Sequence, residues 1–515
     1  MSDQKILCLV DNSTPGAQGH KLSQKFAKQQ HLTYHGLVTN QTLEAGVYHV
    51  GPMDLETKLI IKIAKEIDKV ILLDQPQDLY SHHRIFLSMF KLIEDLTKEG
   101  IVVEEQNKQN FEYLRYWTRL FESNKSICVY PWVLMHDGYG DYTSLCGRAT
   151  DPVTKISELK SWKNDKNYQR IRKLMINGER VSNCKICSEY EDKGIRDQRW
   201  NYSFDWIARL KIKNIEDLKK IENPVYYEIK PSNKCNAMCR MCNGNYSHLI
   251  QKENFQINDK KYKELIESQK VFEMYSSFER VDIDKVIRLY VAGGEPTVMS
   301  SLYKFLEKCI NKQKTNFALN IQTNGVKLKK KFFDLCGHFK NLTISTSIDG
   351  VGKINEYVRW LTNSEEQKQN IHKLSEAGHH VQIISVISIY NVATIGETMD
   401  MFDREFPNTP VQLQFASFKK DLLDPYNHPN RKLVYKSLIK AKTTRCYWHN
   451  ESGTTNIINQ MFDFFGHPSN TDTFDQQKLE RFFYYNDTLD KLRGSKLKDY
   501  IPDLEECRKY IQKKQ

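Results

Sequence analysis

The sequence predicts an α/β protein built around a partial (β/α)6 barrel. A small N-terminal α/β domain, a Cys-rich module and a helical C-terminal extension complete it. Three observations carry this expectation. Between residues 224 and 418 six short strand-like runs alternate with helical runs, an order that builds a parallel sheet with helical crossovers. Four cysteines between residues 111 and 223 follow the order C-x17-C-x37-C-x2-C. Three more stand within eight residues in KPSNKCNAMCRMCNGN, Lys230 to Asn245, directly after the first of the six runs.

Composition sets the context. With 515 residues and 40% hydrophobic content the chain is expected to hold several modules with sizeable cores. Met1 to Lys5 is polar, Ile6 to Val10 is too short for a signal segment, and no run approaches the roughly 20 apolar residues needed to cross a bilayer. A soluble, cytoplasmic protein with no membrane association is expected. Twelve cysteines in such a compartment read as metal ligands or redox groups before they read as disulfides. The net charge of +12 would suit an anionic partner, because neutralised phosphates release counterions. The runs KLKKK, Lys327 to Lys331, and FKK, Phe418 to Lys420, read more simply as solvated faces.

In residues 1–110, KILCLVDN, GLVTN, GVYHVG and KVILLD read as strands, with DLETKLIIKIAKEIDK as an amphipathic helix. The loop STPGAQGHK, Ser13 to Lys21, follows the first strand but lacks the P-loop and G-x-G-x-x-G spacings, and Cys8 reads as core. Residues 111–223 are rich in aromatics. There CVYPWVLMHDGYGDYTSLC reads as two strands joined near DGYGD, bringing Cys128 toward Cys146. Cys184 and Cys187 follow the helical run NYQRIRKLMINGER and its Gly178 stop signal, so four thiols can converge. Such a set suits an iron-sulfur cluster or a zinc knuckle.

In residues 224–418 the strands are VYYEIKP, IRLYVAGG, FALNIQTN, LTISTSID, VQIISVIS and VQLQFAS. A barrel of this kind places its site at the strand C-termini. Cys235, Cys239 and Cys242 fall there, and three thiolates on one loop occupy three corners of a cubane cluster and leave one iron open. A zinc site needs a fourth ligand, for which His248 is the nearest candidate. Cys309 and Cys336 read as helix packing residues. Residues 419–515 read as mainly helical, ending in the amphipathic SKLKDYIPDLEECRKYIQKK.

From Val225 to about Ser417 the chain resembles the radical SAM superfamily, through C-x3-C-x2-C, the VAGGEP segment Val291 to Pro296, QTNG, STSIDG and EYVRW. The family usually carries an aromatic residue before the third cysteine, where this chain has Met241. The resemblance implies a 4Fe-4S cluster on Cys235, Cys239 and Cys242, whose open iron binds S-adenosylmethionine. It further implies cofactor contacts from Gly293, Gly294, Glu295, Asn324, Ser347, Asp349 and Arg359, with Arg359 on the carboxylate of S-adenosylmethionine. The activity implied is reductive cleavage of S-adenosylmethionine to a 5′-deoxyadenosyl radical that abstracts hydrogen from a substrate, here expected to be a peptide or protein. An electron donor such as a flavodoxin or ferredoxin is the implied partner. The Cys128, Cys146, Cys184 and Cys187 module resembles the twitch or SPASM-type segments of certain relatives, which bind an auxiliary 4Fe-4S cluster. The alternative is an iron-sulfur or zinc protein without turnover that binds nucleic acid through its basic surface.

Overall fold

In a computed structural model, residues 5–9, 27–28, 34–37, 46–50, 57–65, 67, 69–72, 92–93, 95–105, 108–137, 141–192, 198–266, 278–416, 421–449, 452–467 and 474–511 are described. The STPGAQGHK loop and the FKK run lie outside them. The chain divides into two compact units. Unit 1 is Met1–Leu134 with Ser144–Pro224, and unit 2 is Met135–Thr143 with Val225–Gln515.

Unit 1 contains a five-stranded sheet of β1 (Lys5–Leu9), β2 (Tyr34–Leu37), β3 (Gly46–Val50), β4 (Lys69–Leu72) and β5 (Val103–Glu105), in the order β2-β3-β1-β4-β5. All of its recorded pairings are parallel. Four of these strands match the expected runs, and β5 is an addition. On β1, Cys8 is fully buried, as a core thiol should be. The Cys-rich part is helical and aromatic, with helices at Lys108–Ser123, Lys166–Ile176 and Gln198–Leu210. Asp165 caps the second of these by accepting from the Asn167 and Tyr168 amides.

The expected hairpin is present as β6 (Leu134–Asp137) and β7 (Thr143–Ser144), but VYPWV does not extend its first strand. Tyr130–Val133 is a single helical turn instead, with Pro131 in its first turn, where a missing N–H costs nothing.

In unit 2 the six expected runs form β8 (Tyr226–Ile229), β9 (Arg288–Val291), β10 (Ala318–Thr323), β11 (Leu342–Ser347), β12 (His380–Ile387) and β13 (Val411–Phe415). The sheet order is β13-β12-β11-β10-β9-β8-β6-β7, and β8 to β13 run parallel. Crossover helices at Ser300–Asn311, Ser364–Glu376 and Ile395–Glu405 bury Leu302, Leu306, Ile371, Leu374 and Phe402.

The sheet has two chemically different faces, because side chains alternate along each strand. One parity is apolar and buried: Ile229, Leu289, Val291, Leu319, Ile321, Ile344, Ile383 and Leu413. Strand register sets Glu228 beside Tyr290, Tyr290 beside Asn320, Gln322 beside Ser345 and Ser345 beside Gln382 on the other face. Residues after β13 form helices Arg431–Lys442, Ser452–Gly466 and Gln476–Arg493, the last ended by Gly494 in the left-handed region. Among the described residues no helix is long and apolar enough to cross a membrane.

Candidate active site

The loop after β8 carries Cys235, Cys239 and Cys242. Its backbone is fixed from several sides. The Met238 amide donates to the Trp360 carbonyl (2.9 Å), the Arg240 amide to Val358 (2.8 Å), and the Glu295 amide to Lys234 (2.8 Å). The Ser247 hydroxyl donates to the Ala237 carbonyl (3.0 Å). His248 accepts the Cys235 amide on Nδ1 (3.2 Å), so that nitrogen serves the loop. The three thiols share one neighbourhood: Cys235 feels the charge of Cys239 and Cys242, and Arg359 that of Cys239 and Cys242. Burial pushes the Cys235 and Cys239 thiols up, with Arg359 opposing this at Cys239. Metal coordination would reverse that rise, since ligand thiols bind deprotonated.

The turn after β9 sits against this loop. Gly293 and Gly294 have φ of +80° and +55°. A Cβ on Gly293 would lie 2.7 Å from Lys230 Cβ, and one on Gly294 would lie 2.4 Å from the Lys234 carbonyl oxygen. These glycines are therefore required by the approach of the cysteine loop itself. Glu295 is 1% exposed, and its carboxylate accepts from the Thr297 amide (3.0 Å) and hydroxyl (2.7 Å), the Thr323 hydroxyl (2.8 Å) and the Asn324 amide (2.6 Å). Four internal donors occupy the side chain expected to contact the cofactor. Asn324 reaches the cysteine loop, donating to Asn236 Oδ1 (2.7 Å).

At the end of β11, the Ser347 carbonyl accepts from Gln367 Nε2 (2.7 Å). Asp349 is fully buried, accepts the Val386 amide (2.7 Å) and pairs with Arg359 at 2.8 Å. Arg359 also points Nη1 at Cys239 Sγ, 3.8 Å away. The guanidinium expected on a ligand carboxylate is thus held between Asp349 and a thiol. Met241, which stands where the family usually carries an aromatic residue, is buried in an apolar cluster with Tyr357, Leu479, Phe482 and Tyr485. Sequence reasoning missed Gln367 and Arg240, whose partners lie on other elements.

On the polar sheet face, His136 Nε2 lies 3.6 Å from Glu228 Oε2. Desolvation, helped by Lys230, keeps the imidazole neutral, and desolvation raises Glu228.

Unit 1 brings four of its cysteines together. Cys128, Cys146, Cys184 and Cys187 line one pocket, with Tyr130, Arg199 and Tyr202 among its walls. Desolvation, then the charges of the other three, pushes the Cys184 thiol up. Arg172 braces the Tyr130–Val133 turn by donating twice to the Pro131 carbonyl (3.0 and 2.8 Å). Arg199 donates to the Ile127 carbonyl (2.7 Å) and pairs in two-fold fashion with Glu191 (2.7 Å each). The Arg148 amide donates to Cys146 Sγ (3.4 Å), and the Ser203 hydroxyl to Cys128 Sγ (3.7 Å). Neither arginine stood out in the sequence. Among the described residues no three His, Cys, Asp or Glu side chains form a single-ion site.

Residues 229–403 match the family model described as the Radical SAM superfamily. The chain is similar to SuiB of Streptococcus suis bound to S-adenosylmethionine, at 16% identity over 52% of this chain and 60% of that one, TM-score 0.31. For SuiB bound to its precursor peptide SuiA the values are 14%, 62%, 64% and 0.30. The chain thus spans under two thirds of either SuiB structure. It is also similar to TsrM, a radical S-adenosylmethionine methyltransferase from Kitasatospora setae with cobalamin and a [4Fe-4S] cluster bound, at 9% identity, 80% of this chain and 75% of that one, TM-score 0.27. No curated protein matches the sequence.

Proposed function

We propose that the chain is a radical SAM enzyme whose unit 2 holds a 4Fe-4S cluster on Cys235, Cys239 and Cys242 with S-adenosylmethionine beside it, and whose unit 1 holds an auxiliary 4Fe-4S cluster on Cys128, Cys146, Cys184 and Cys187. One observation carries the first part. Three thiols on the loop after the first strand of a parallel sheet meet a Gly-Gly-Glu turn at the end of the second, with Arg359 against Cys239. The donor set fits a cluster left one protein ligand short. His248, the fourth ligand a zinc site would need, already spends Nδ1 on the Cys235 amide.

Bound there, the cluster would supply the electron for reductive cleavage of the sulfonium, and hydrogen abstraction by the 5′-deoxyadenosyl radical is the reaction class. The residues hold and shield. Arg359 places positive charge beside a ligand thiolate, and Glu295 ties the turn after β9 to Thr323 and Asn324. Gly293 and Gly294 admit the loop. For the auxiliary site, support comes from four thiols on one cavity, with hydrogen bonds to two sulfurs of the kind that tune cluster potential. Full cysteine ligation leaves no open iron, so its role is electron relay or support. A peptide or protein is the proposed substrate, as the resemblance of the Cys128, Cys146, Cys184 and Cys187 module to twitch-type segments implies. A flavodoxin or ferredoxin is the proposed electron donor.

The test is anaerobic reconstitution with iron and sulfide, followed by dithionite and S-adenosylmethionine. 5′-Deoxyadenosine should form with wild type and be lost with the Cys235→Ala, Cys239→Ala, Cys242→Ala variant. A colourless, zinc-only protein that forms none would overturn the reading.

A further inference from the structure

We propose that the C-terminal extension is a working part of the cluster site, fixing the arc from Cys239 to Cys242 by gripping Arg240 between two ligand positions. This rests on the assignment of those cysteines as ligands.

Arg240 is fully buried. Its Nε donates to the Tyr357 carbonyl (3.0 Å), Nη1 to Asn486 Oδ1 (3.1 Å), and Nη2 to Asp490 Oδ1 (2.6 Å) and Ser495 Oγ (3.1 Å). The guanidinium also lies 3.7 Å from the centre of the Tyr357 ring. Its own carbonyl accepts the Tyr485 hydroxyl (2.7 Å). Asp490 is fixed in turn by the Tyr357 hydroxyl (2.9 Å), the Ser495 hydroxyl (2.6 Å) and the Leu497 amide (2.8 Å). Met241 is buried in a cluster with Leu479, Phe482, Tyr485 and Leu489, and Cys239 packs against it.

The same helix makes a second grip. Arg493 pairs with Glu253 through two bonds of 2.7 Å, both side chains 3% exposed, and its charge acts on Cys239.

A buried guanidinium is costly unless its donors are satisfied. Here that cost is carried between two ligand cysteines, and the planar fork fixes direction as well as distance. From one side the arc is held by the Arg240 amide on the Val358 carbonyl, by Arg240 Nε on the Tyr357 carbonyl and by Arg359 against Cys239; from the other it is held by the extension. Ligand orientation depends on such outer contacts, so loosening them displaces the thiols without unfolding the sheet.

The experiment uses the full chain. An Arg240→Met, Asp490→Asn double variant removes the buried ion pair and keeps an acceptor oxygen for the other donors that Asp490 serves. Ser495→Ala removes a single hydroxyl. On metal-free protein, thermal melting should stay near wild type while amide hydrogen exchange across residues 235–245 speeds up. After anaerobic reconstitution, the electron paramagnetic resonance signal of the dithionite-reduced protein should differ from wild type. Iron affinity should fall about 10- to 100-fold in the double variant, as outer-shell losses typically do, and less in Ser495→Ala. Wild-type exchange, signal and affinity in both variants would overturn the proposal. If the double variant fails to fold, Ser495→Ala decides alone. Should wild type itself show no response to S-adenosylmethionine, the cluster assignment fails, and hydrogen exchange on the metal-free chain still decides whether Arg240 clamps the loop.

Discussion

Arg359 and Glu295 show how much of this site is spent on holding itself together. Each was expected on the cofactor from sequence, yet one guanidinium bridges Asp349 and Cys239, and one carboxylate takes four internal donors. Their fixed partners make them positioning groups. Asp137 shows the opposite economy. It is 2% exposed, its Oδ2 has no hydrogen-bond partner among the described residues, and desolvation raises its carboxyl to about 7, against the pull of Arg280 and Lys230. A folded-state pKa raised above the unfolded value means the associated stability is complete below about pH 4 and is lost as pH rises toward about 7. Between about pH 5 and pH 7 the loss has an upper figure on the order of 3 kcal/mol. Asp137→Asn should therefore flatten the pH dependence of denaturant unfolding and gain most over wild type near about pH 8. A variant that tracks wild type at every pH would refute the assignment of a desolvated carboxyl.

The turn after β9 and the cysteine loop form one packed element, and this explains a motif the sequence pointed to for another reason. Gly293 and Gly294 were expected as cofactor contacts; their Cβ positions are filled by Lys230 and by the Lys234 carbonyl. Gly294→Ala combines a 2.4 Å clash against backbone with a φ of +55°. Backbone strain of that kind costs about 1–3 kcal/mol before any clash is relieved. Melting of the metal-free variant should fall accordingly, and iron uptake should fall with it. Unchanged melting would mean the loop gives way freely. What was legible here was whatever one strand or helix declares by itself. The six strands of unit 2 show as apolar runs because one parity is buried under helices, and three cysteines on one loop need no partner elsewhere to be seen. The Tyr130–Val133 turn was misread as strand because its helical state depends on Arg172 gripping the Pro131 carbonyl from another helix. The Arg240 to Asp490 pair spans 250 residues, and no local pattern announces it.

At the scale of the whole chain, two units each gather thiols, and they do so by different means. In unit 2 three come from one loop, and the protein supplies a buried arginine and a Gly-Gly turn to hold them. In unit 1 four come from three separate segments, and two arginines brace the segments that present them. A set drawn from one loop is assembled locally, whereas a set drawn from three segments requires unit 1 to be folded before any metal is complete. The two sites should therefore load independently and fail differently. In reconstituted protein, the Cys184→Ala, Cys187→Ala variant should keep about half the iron, on four irons per cluster, and retain its response to S-adenosylmethionine. Its melting should change more than that of the Cys235→Ala, Cys239→Ala, Cys242→Ala variant, which should keep the complementary half and lose all 5′-deoxyadenosine. Iron analysis beside zinc analysis reads the result directly. If the first variant loses zinc instead of iron, unit 1 holds a zinc knuckle; if it loses all iron, the two sites are not the separate assemblies their geometry describes.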